Sequence, residues 1–164
     1  ESTGSGETSY FKISAKKNIV GDLSIISSFS EGVTKIQGNE FGIFRDYSNI
    51  RSRSSSIGLV NDKMWGGKVG LVYYQPLRVY SGKTLIDIPT ARDNDGNVTR
   101  YSATLSLKPE GKEQDLEMFY SKSLSIHNLV NPAVKVNFIA QKEPGNFKSA
   151  KNNYLAFVNF GANF

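Results

Sequence analysis

Residues 154–164 read YLAFVNFGANF, and this stretch decides the fold class. Apolar and small or polar side chains alternate along it without a break, which is the period of a β-strand. One face would carry Tyr154, Ala156, Val158, Phe160, Ala162 and Phe164, and the other Leu155, Phe157, Asn159, Gly161 and Asn163. The end of a soluble domain is usually polar and frayed, because an exposed apolar edge invites pairing. An apolar final strand needs lipid on one face and a partner strand at its edge, so we expect an outer-membrane β-barrel.

Composition narrows the class of protein further. The chain of 164 residues is 38% hydrophobic and has a mean hydropathy of -0.36. It contains no apolar run approaching the roughly 20 residues of a membrane helix, which excludes a helical membrane protein, whereas a barrel looks mildly polar on average because only alternate residues face lipid. Cysteine is absent, so neither a disulfide framework nor a thiolate metal site is expected. The net charge of +5 is spread along the chain and favours solvated loops and a polar lumen over nucleic-acid binding.

The same alternation recurs upstream in segments of about ten residues, the length of a strand tilted through a bilayer. The apolar sides of three segments carry Tyr101, Ala103, Leu105 and Leu107; Leu116, Met118, Tyr120 and Leu124; and Val134, Val136, Phe138 and Ala140. Their polar sides carry charged residues, among them Arg100, Lys108, Asp115, Glu117 and Lys135. Charges are costly against lipid but tolerated in a water-filled lumen, so the two faces are predicted to contact lipid and lumen.

Nine strands are predicted in all, near residues 9–17, 20–30, 50–60, 67–79, 83–90, 97–108, 112–124, 133–143 and 153–164. Turn-forming residues separate them, as at 93–96 and 131–132. The predicted fold class is all-β, an antiparallel meander that forms the C-terminal part of a transmembrane outer-membrane β-barrel. Residues 1–8 are interpreted as a flexible lead, and residues 9–164 as the barrel domain.

The strand count predicts an orientation. With Phe164 on the periplasmic side, the connections 31–49 and 144–152 would lie outside the cell. The turns at 65–67 and 93–96 would then lie on the periplasmic side, as the rule of short periplasmic turns requires. Because bacterial barrels have even numbers of strands, an odd count predicts further strands upstream and a barrel that is incomplete at its N-terminal side.

Three sequence elements follow one another in an order typical of one family. They are Gln75-Pro76-Leu77-Arg78-Val79 with Ser81-Gly82; Asp93 with Asp95-Gly96-Asn97-Val98; and Leu107-Lys108-Pro109 with Gly111, Glu113 and Asp115-Leu116-Glu117. The stretch from Ile50 onward resembles the C-terminal translocator domain of autotransporters, most of all those with a subtilisin-like serine protease passenger. Residues 1–49 match only in general character, and the turn at 125–132 is longer than is usual in the family.

The resemblance implies a device for type V protein secretion in the outer membrane of a Gram-negative bacterium, with a full barrel of about twelve strands. Such a barrel would anchor an upstream passenger and export it to the cell surface. Its partners would be outer-membrane lipid, the passenger polypeptide in cis and the barrel-assembly machinery. Phe164, with Phe160 and Val158, resembles the C-terminal signal that this machinery reads; ordinary packing of the strand in lipid would require the same residues.

Polar side chains on the predicted strands are candidates for the lumen wall. The lumen-lining candidates are Arg100, Asp115, Glu117, Lys135, Asn137 and Asn159. Contact with a translocating peptide and an internal network that rigidifies the barrel are equally good explanations of them. For Asp115 and Glu117, charge pairing with Arg100 or Lys135 is expected rather than acid-base catalysis.

No catalytic, cofactor or metal site is predicted in this segment. His127 lies in a serine-rich turn without a GxSxG or HExxH pattern, and no phosphate-binding GxxxxGK[ST] loop is present. Residues 93–96 resemble the start of a calcium loop, but Thr104 stands where such a loop needs a bidentate glutamate. A hairpin turn is therefore favoured there. Any serine protease activity would lie in an upstream passenger.

Two other classes of protein remain open. A soluble β-sandwich used for binding or adhesion would also have alternating strands, but its apolar face would pack against a second sheet. A small complete outer-membrane barrel without a passenger would need an even strand count. A protein that stays folded and monomeric without detergent would be no membrane barrel. A long passenger sequence upstream of Glu1 would favour a secretion barrel over a small complete one.

Overall fold

A computed structural model of the chain describes residues 5–37, 43–125 and 130–163. Over these ranges the protein is all-β. The strands are β1 (Gly6–Val20), β2 (Leu23–Ile36), β3 (Phe44–Tyr47), β4 (Ile50–Met64), β5 (Gly67–Ser81), β6 (Lys83–Arg92), β7 (Val98–Ser106), β8 (Gln114–Ser123), β9 (Val130–Lys142) and β10 (Asn153–Asn163), with a short 3-10 turn at Pro144–Asn146. All nine predicted strands are confirmed, and β3 is an additional one. The predicted turn at 131–132 is wrong, because both residues lie inside β9. Within the same ranges, no helix is long and apolar enough to cross a membrane.

The strands form two sheets. The larger sheet has seven strands in the order β1-β2-β4-β5-β8-β9-β10, and the smaller has three in the order β3-β6-β7. The order within the larger sheet follows the chain, and its strands are antiparallel, as a meander requires. The all-β antiparallel meander predicted from the sequence is thus observed.

One prediction about neighbouring strands is wrong. The segments 83–90 and 97–108 are strands, but they do not join the larger sheet; β6 pairs with β7 and with β3, and β5 pairs directly with β8. A period-2 pattern marks a segment as a strand but does not identify its partner. The turn at 93–96 therefore belongs to the hairpin of the smaller sheet and not to the set of short turns that includes 65–67.

The connections of the larger sheet differ in length at its two ends. Successive connections of an antiparallel meander leave from alternate ends. The turns between β1 and β2 and between β4 and β5 are Gly21–Asp22 and Trp65–Gly66, and they share one end with the β8–β9 connection. The connections β2–β4, β5–β8 and β9–β10 share the other end, and two of them contain the strands of the smaller sheet. Short and long connections are therefore sorted to opposite ends.

Contacts divide the chain into two compact units. The first comprises Glu1–Phe11, Ser30–Arg53 and Leu77–Pro109, and the second Lys12–Phe29, Ser54–Pro76 and Glu110–Phe164.

The first unit contains the three-stranded sheet. Its β6 pairs with β7 from Lys83 opposite Ser106 to Arg92 opposite Val98, and the 93–96 turn closes this hairpin. At the end of β5, the Tyr80 hydroxyl donates a hydrogen bond to the Glu31 carboxylate, and the Arg53 guanidinium lies 4.8 Å from the centroid of the Tyr80 ring.

The second unit contains the paired lengths of β5, β8, β9 and β10. In this part of the sheet Tyr73 lies opposite Leu116, Leu116 opposite Ala140, and Ala140 opposite Tyr154. Directly opposed residues of antiparallel strands point to the same side of the sheet. The register therefore assigns every residue of these strands to one of two faces.

Candidate functional site

One face of the second unit, the apolar face, is built almost entirely from aliphatic and aromatic side chains. Its members are Val69, Leu71 and Tyr73 on β5; Leu116, Met118 and Tyr120 on β8; Val134, Val136, Phe138 and Ala140 on β9; and Tyr154, Ala156, Val158 and Phe160 on β10. Each strand contributes alternate residues, which is why the period-2 pattern identified them. The predicted grouping of Leu116, Val134 and Phe160 on one side is confirmed.

The apolar face is exposed. Val158 has 67% of its surface accessible, Phe160 60% and Met118 53%, and the Leu116 and Phe138 side chains are exposed too. Among the described residues, the buried hydrophobic set consists of Val60 alone. The apolar side of the strands is therefore not the core of the second unit.

The opposite face, the polar face, contains the buried side chains instead. Asp115 and Asn137 each expose only 1% of their surface. The Asn137 amide donates a hydrogen bond to the Glu117 carboxylate, and Gln141 Nε2 lies 3.2 Å from Glu113 Oε1 and 3.4 Å from Asp115 Oδ2. Burial of carboxylates and amides beneath an exposed apolar surface is the reverse of the arrangement in water-soluble proteins.

Two oxygens of the polar face are buried and have no hydrogen-bond partner among the described residues. They are Asp115 Oδ1 and Asn137 Oδ1. A buried acceptor without a partner costs about 1–3 kcal/mol. Both atoms therefore have capacity for donors from water or from a polar ligand on this face.

The predicted lumen-lining residues fall into two places. Asp115, Glu117, Lys135, Asn137 and Asn159 all lie on the polar face of the second unit. The structure brings Glu117 and Asn137 into a direct hydrogen bond and sets Lys135 opposite Asn159.

Arg100 is separate from that group. It lies on β7 in the three-stranded sheet, where its guanidinium is 3.4 Å from Asp87 Oδ2. Asp87 is buried and also accepts a hydrogen bond from Ser102 Oγ at 3.0 Å. The expected pairing of Arg100 with Asp115 or Glu117 is therefore not observed, because Asp87 lies near it in the same hairpin.

Lys135 also has a different neighbour from the expected carboxylate. Its Nζ lies 5.2 Å from the centroid of the Phe119 ring, a cation–π geometry. Asp115 has the Gln141 amide and Tyr74, directly opposite on β5, as neighbours, and Glu117 has the Asn137 amide as its partner. Gln141 and Glu113 are not among the lumen-lining residues predicted from the sequence, although Glu113 alternates with Asp115 and Glu117 and is therefore expected on the same face.

The predicted assembly signal is described only in part. Val158 and Phe160 lie on the apolar face of β10 and are exposed. Phe164 and the single histidine, His127, lie outside the described residues.

The turn between β6 and β7 is organised by one carboxylate. Asp93 Oδ1 accepts hydrogen bonds from the backbone N–H groups of Asp95 at 3.0 Å and Asn97 at 2.8 Å, and Oδ2 accepts one from Asn97 Nδ2 at 2.9 Å. The Asn97 side chain, with these backbone donors, lowers the pKa of Asp93 below its ordinary value. The prediction of a hairpin turn here is confirmed.

Within the described ranges, no group of three or more histidine, aspartate or glutamate side chains is arranged to hold a metal ion.

Comparison with protein-family models, curated proteins and solved structures gave no match to this chain.

Proposed function

We propose that this chain is the translocator barrel of an autotransporter, which anchors and exports an upstream passenger across the outer membrane. The observation that carries the proposal is the inverted polarity of the second unit. Its apolar face is exposed, while Asp115 and Asn137 are buried on its polar face.

The apolar face favours lipid as its surroundings. Contiguous apolar surface in water is unfavourable by roughly 25 cal/mol per Å², and monomeric soluble proteins seldom expose a patch that spans several strands. In a bilayer the same side chains are surrounded by acyl chains of matching polarity. The closed hydrogen-bond ladder of a barrel would satisfy the backbone there.

The polar face favours a wet lumen. Its carboxylates and amides form hydrogen bonds with one another, and Asp115 Oδ1 and Asn137 Oδ1 lack a partner within the described ranges. A hydrated pore supplies donors to such groups, and an extended polypeptide in the pore would supply backbone N–H groups. The exposed side chains of the same face, Lys135 and Asn159, are the proposed contacts for a passenger segment.

The lengths of the connections are consistent with this orientation. Outer-membrane barrels have short periplasmic turns and longer extracellular loops. In the seven-stranded sheet, Gly21–Asp22 and Trp65–Gly66 are at the end opposite the connections that contain β3, β6 and β7. We assign the short-turn end to the periplasm, so β10 runs toward the periplasmic side.

The assignment to autotransporters is supported by the resemblance of three ordered elements: the QPLRV stretch with Ser81-Gly82, the Asp93–Val98 turn and the strand around Asp115-Leu116-Glu117. A soluble β-sandwich is disfavoured, because that fold covers its apolar face with a second sheet. In the described residues the side chains of Met118, Val158 and Phe160 are more than half exposed.

Refolding tests whether the chain is a membrane barrel. The protein is unfolded in urea and diluted into buffer alone, into detergent micelles or into liposomes. We expect a β-sheet circular dichroism spectrum and a heat-modifiable gel mobility only with detergent or lipid. A folded monomer in plain buffer would contradict the proposal.

Surface display tests the export function. The complete reading frame that contains this chain is expressed in a Gram-negative host, and intact cells are treated with protease. Polypeptide encoded upstream of Glu1 should be cleaved in intact cells and protected when β10 is deleted. An upstream polypeptide that stays protected in intact cells, although the barrel is inserted, would rule out export.

A further inference from the structure

A narrow groove lies on the apolar face close to the short-turn end. It is lined by Trp65, Val69, Met118, Phe119, Tyr120, Val136 and Phe138. The cavity measures about 110 Å³. Pockets for drug-sized ligands usually enclose about 300–1,000 Å³. A cavity this small, lined mainly by apolar residues, suits a short length of hydrocarbon chain better than a compact polar ligand.

A cation lies beside the turn that forms one end of this groove. The Lys122 ammonium is close to Gly66: a Cβ built on that glycine would be 3.7 Å from Lys122 Nζ. Lys122 follows Tyr120 by two residues on the same side of β8. The Tyr120 hydroxyl donates a hydrogen bond to the Trp65 carbonyl oxygen at 3.0 Å, which joins the strand to the turn. Trp65 itself is 75% exposed.

Lys122 differs from the other lysines of this region in its partners. Lys63 Nζ lies 3.1 Å from Asp22 Oδ1, and Lys68 Nζ lies 3.2 Å from Asp62 Oδ1. Within the described ranges, Lys122 has no carboxylate at ion-pair distance. Its charge is therefore available to an anion at the polar end of the groove.

We infer that this groove is a binding site for an anionic phospholipid, with one acyl chain along the groove and the phosphate held by Lys122. The inference rests on the proposed function, because it requires the apolar face to contact a bilayer. An exposed tryptophan with a lysine beside it is typical of the headgroup level of a membrane. A phosphate there would also accept a hydrogen bond from the Trp65 indole N–H.

Lipid competition tests the inference. The protein is folded in detergent and titrated with phosphatidylglycerol or with phosphatidylethanolamine of identical acyl chains, and bound lipid is counted by native mass spectrometry. We expect wild type to prefer phosphatidylglycerol. Lys122→Gln should weaken binding of this lipid about fivefold, because one lysine near an anionic membrane surface contributes about that factor. Binding of phosphatidylethanolamine should change little.

Three further variants test whether the lipid preference depends on Lys122 and on the groove. Lys151→Gln removes the same charge from the connection between β9 and β10 and should keep the wild-type preference. Lys122→Arg retains the positive charge and should keep the preference for phosphatidylglycerol. Trp65→Ala removes part of the groove wall and should weaken the binding of both lipids. Equal binding of both lipids to wild type, or equal losses in Lys122→Gln and Lys151→Gln, would overturn the inference. Those results leave the membrane barrel intact, whereas a protein that folds in plain buffer refutes the barrel itself.

Discussion

At the scale of single residues, the pair Gly70 and Phe119 shows how close packing governs the polar face. The two residues are directly opposed in the pairing of β5 and β8, and the aromatic ring covers the glycine. Lys135 Nζ lies 5.2 Å from the centroid of the same ring. An aromatic ring that covers a cross-strand glycine restores packing where the glycine lacks a side chain.

Gly70→Ala is expected to destabilise the protein by about 1–3 kcal/mol, the usual cost of overpacking. A Cβ at this position would lie 2.3 Å from two atoms of the Phe119 ring, so the ring would have to leave its present position. Urea unfolding in detergent measures the change. Gly161→Ala on β10 is the matched control, because nothing lies within 4 Å of its Cβ position. Similar losses in both variants would show that the ring is free to move.

Asp93 carries a pH dependence at the tip of the β6–β7 hairpin. Hydrogen bonds from Asn97 lower the pKa of Asp93 in the folded protein. Its stabilising effect is therefore complete above the ordinary aspartate pKa and is lost as the pH falls through the lowered value. In an NMR titration, the amide signals of Asp95 and Asn97 should shift together as the pH falls through the lowered pKa of Asp93.

A comparison of two variants checks the assignment to this carboxylate. Asp93→Asn should abolish the shared low-pH transition of the turn amides, whereas Asp95→Asn should leave it in place, because Asp95 contributes its backbone N–H and not its carboxylate. A transition that survives in Asp93→Asn would assign it to another group.

At the scale of elements, the connection from β9 to β10 is hydrogen-bonded to the segment that precedes β8. Gly111 N donates a hydrogen bond to the Asn146 carbonyl oxygen at 3.0 Å, and Glu113 N donates one to Asn146 Oδ1 at 3.1 Å. In the reverse direction, Gly145 N donates one to Glu113 Oε2 at 2.9 Å. The two segments therefore satisfy each other's backbone groups without forming a strand pair.

Gly111→Ala should release this contact. A Cβ there would lie 2.4 Å from the Asn146 carbonyl oxygen and 2.5 Å from Lys148 N, and these are backbone atoms that cannot rotate away. Hydrogen exchange should increase at the Lys112 and Glu113 amides, while the amides between β8 and β9 stay protected. Unchanged exchange at Glu113, or loss of protection throughout β8, would contradict a local contact.

At the scale of the whole molecule, the faces of the strands decide the surroundings that the protein needs. Exposed apolar side chains continue along one side of β5, β8, β9 and β10, and the other side carries the buried polar side chains Asp115 on β8 and Asn137 on β9. A single exposed leucine or phenylalanine has no such meaning, because most protein surfaces contain some. The continuity of the pattern over four paired strands is what favours lipid.

Met118→Arg distinguishes lipid from water on the apolar face. Met118 is 53% exposed, so in water the substitution should change stability by less than about 0.5 kcal/mol. Against lipid the same arginine should cost about 2–4 kcal/mol near the bilayer midplane. Ser123→Arg is the control, because Ser123 is exposed on the polar face of β8 and lies opposite Ala133. In liposomes we expect a loss of stability only for Met118→Arg, and equal stability of both variants would argue against a lipid-facing surface.

The sequence alone predicted the strands and their faces well, because both are local properties. Alternation at residues 133–143 and 153–164 identified β9 and β10 and the side of each residue. It also predicted β6 and β7 as strands, but their pattern is the same as that of the strands in the larger sheet. Their separate pairing with β3 could not be derived from periodicity.

The period-2 pattern by itself therefore determined an all-β chain with one apolar and one polar side, since successive side chains of a strand must point in opposite directions. Only the tertiary structure decided that β5 lies beside β8, that Arg100 meets Asp87 and that Asp115 meets Gln141. These contacts depend on the register between strands that are distant in the chain. A local pattern contains no information about that register.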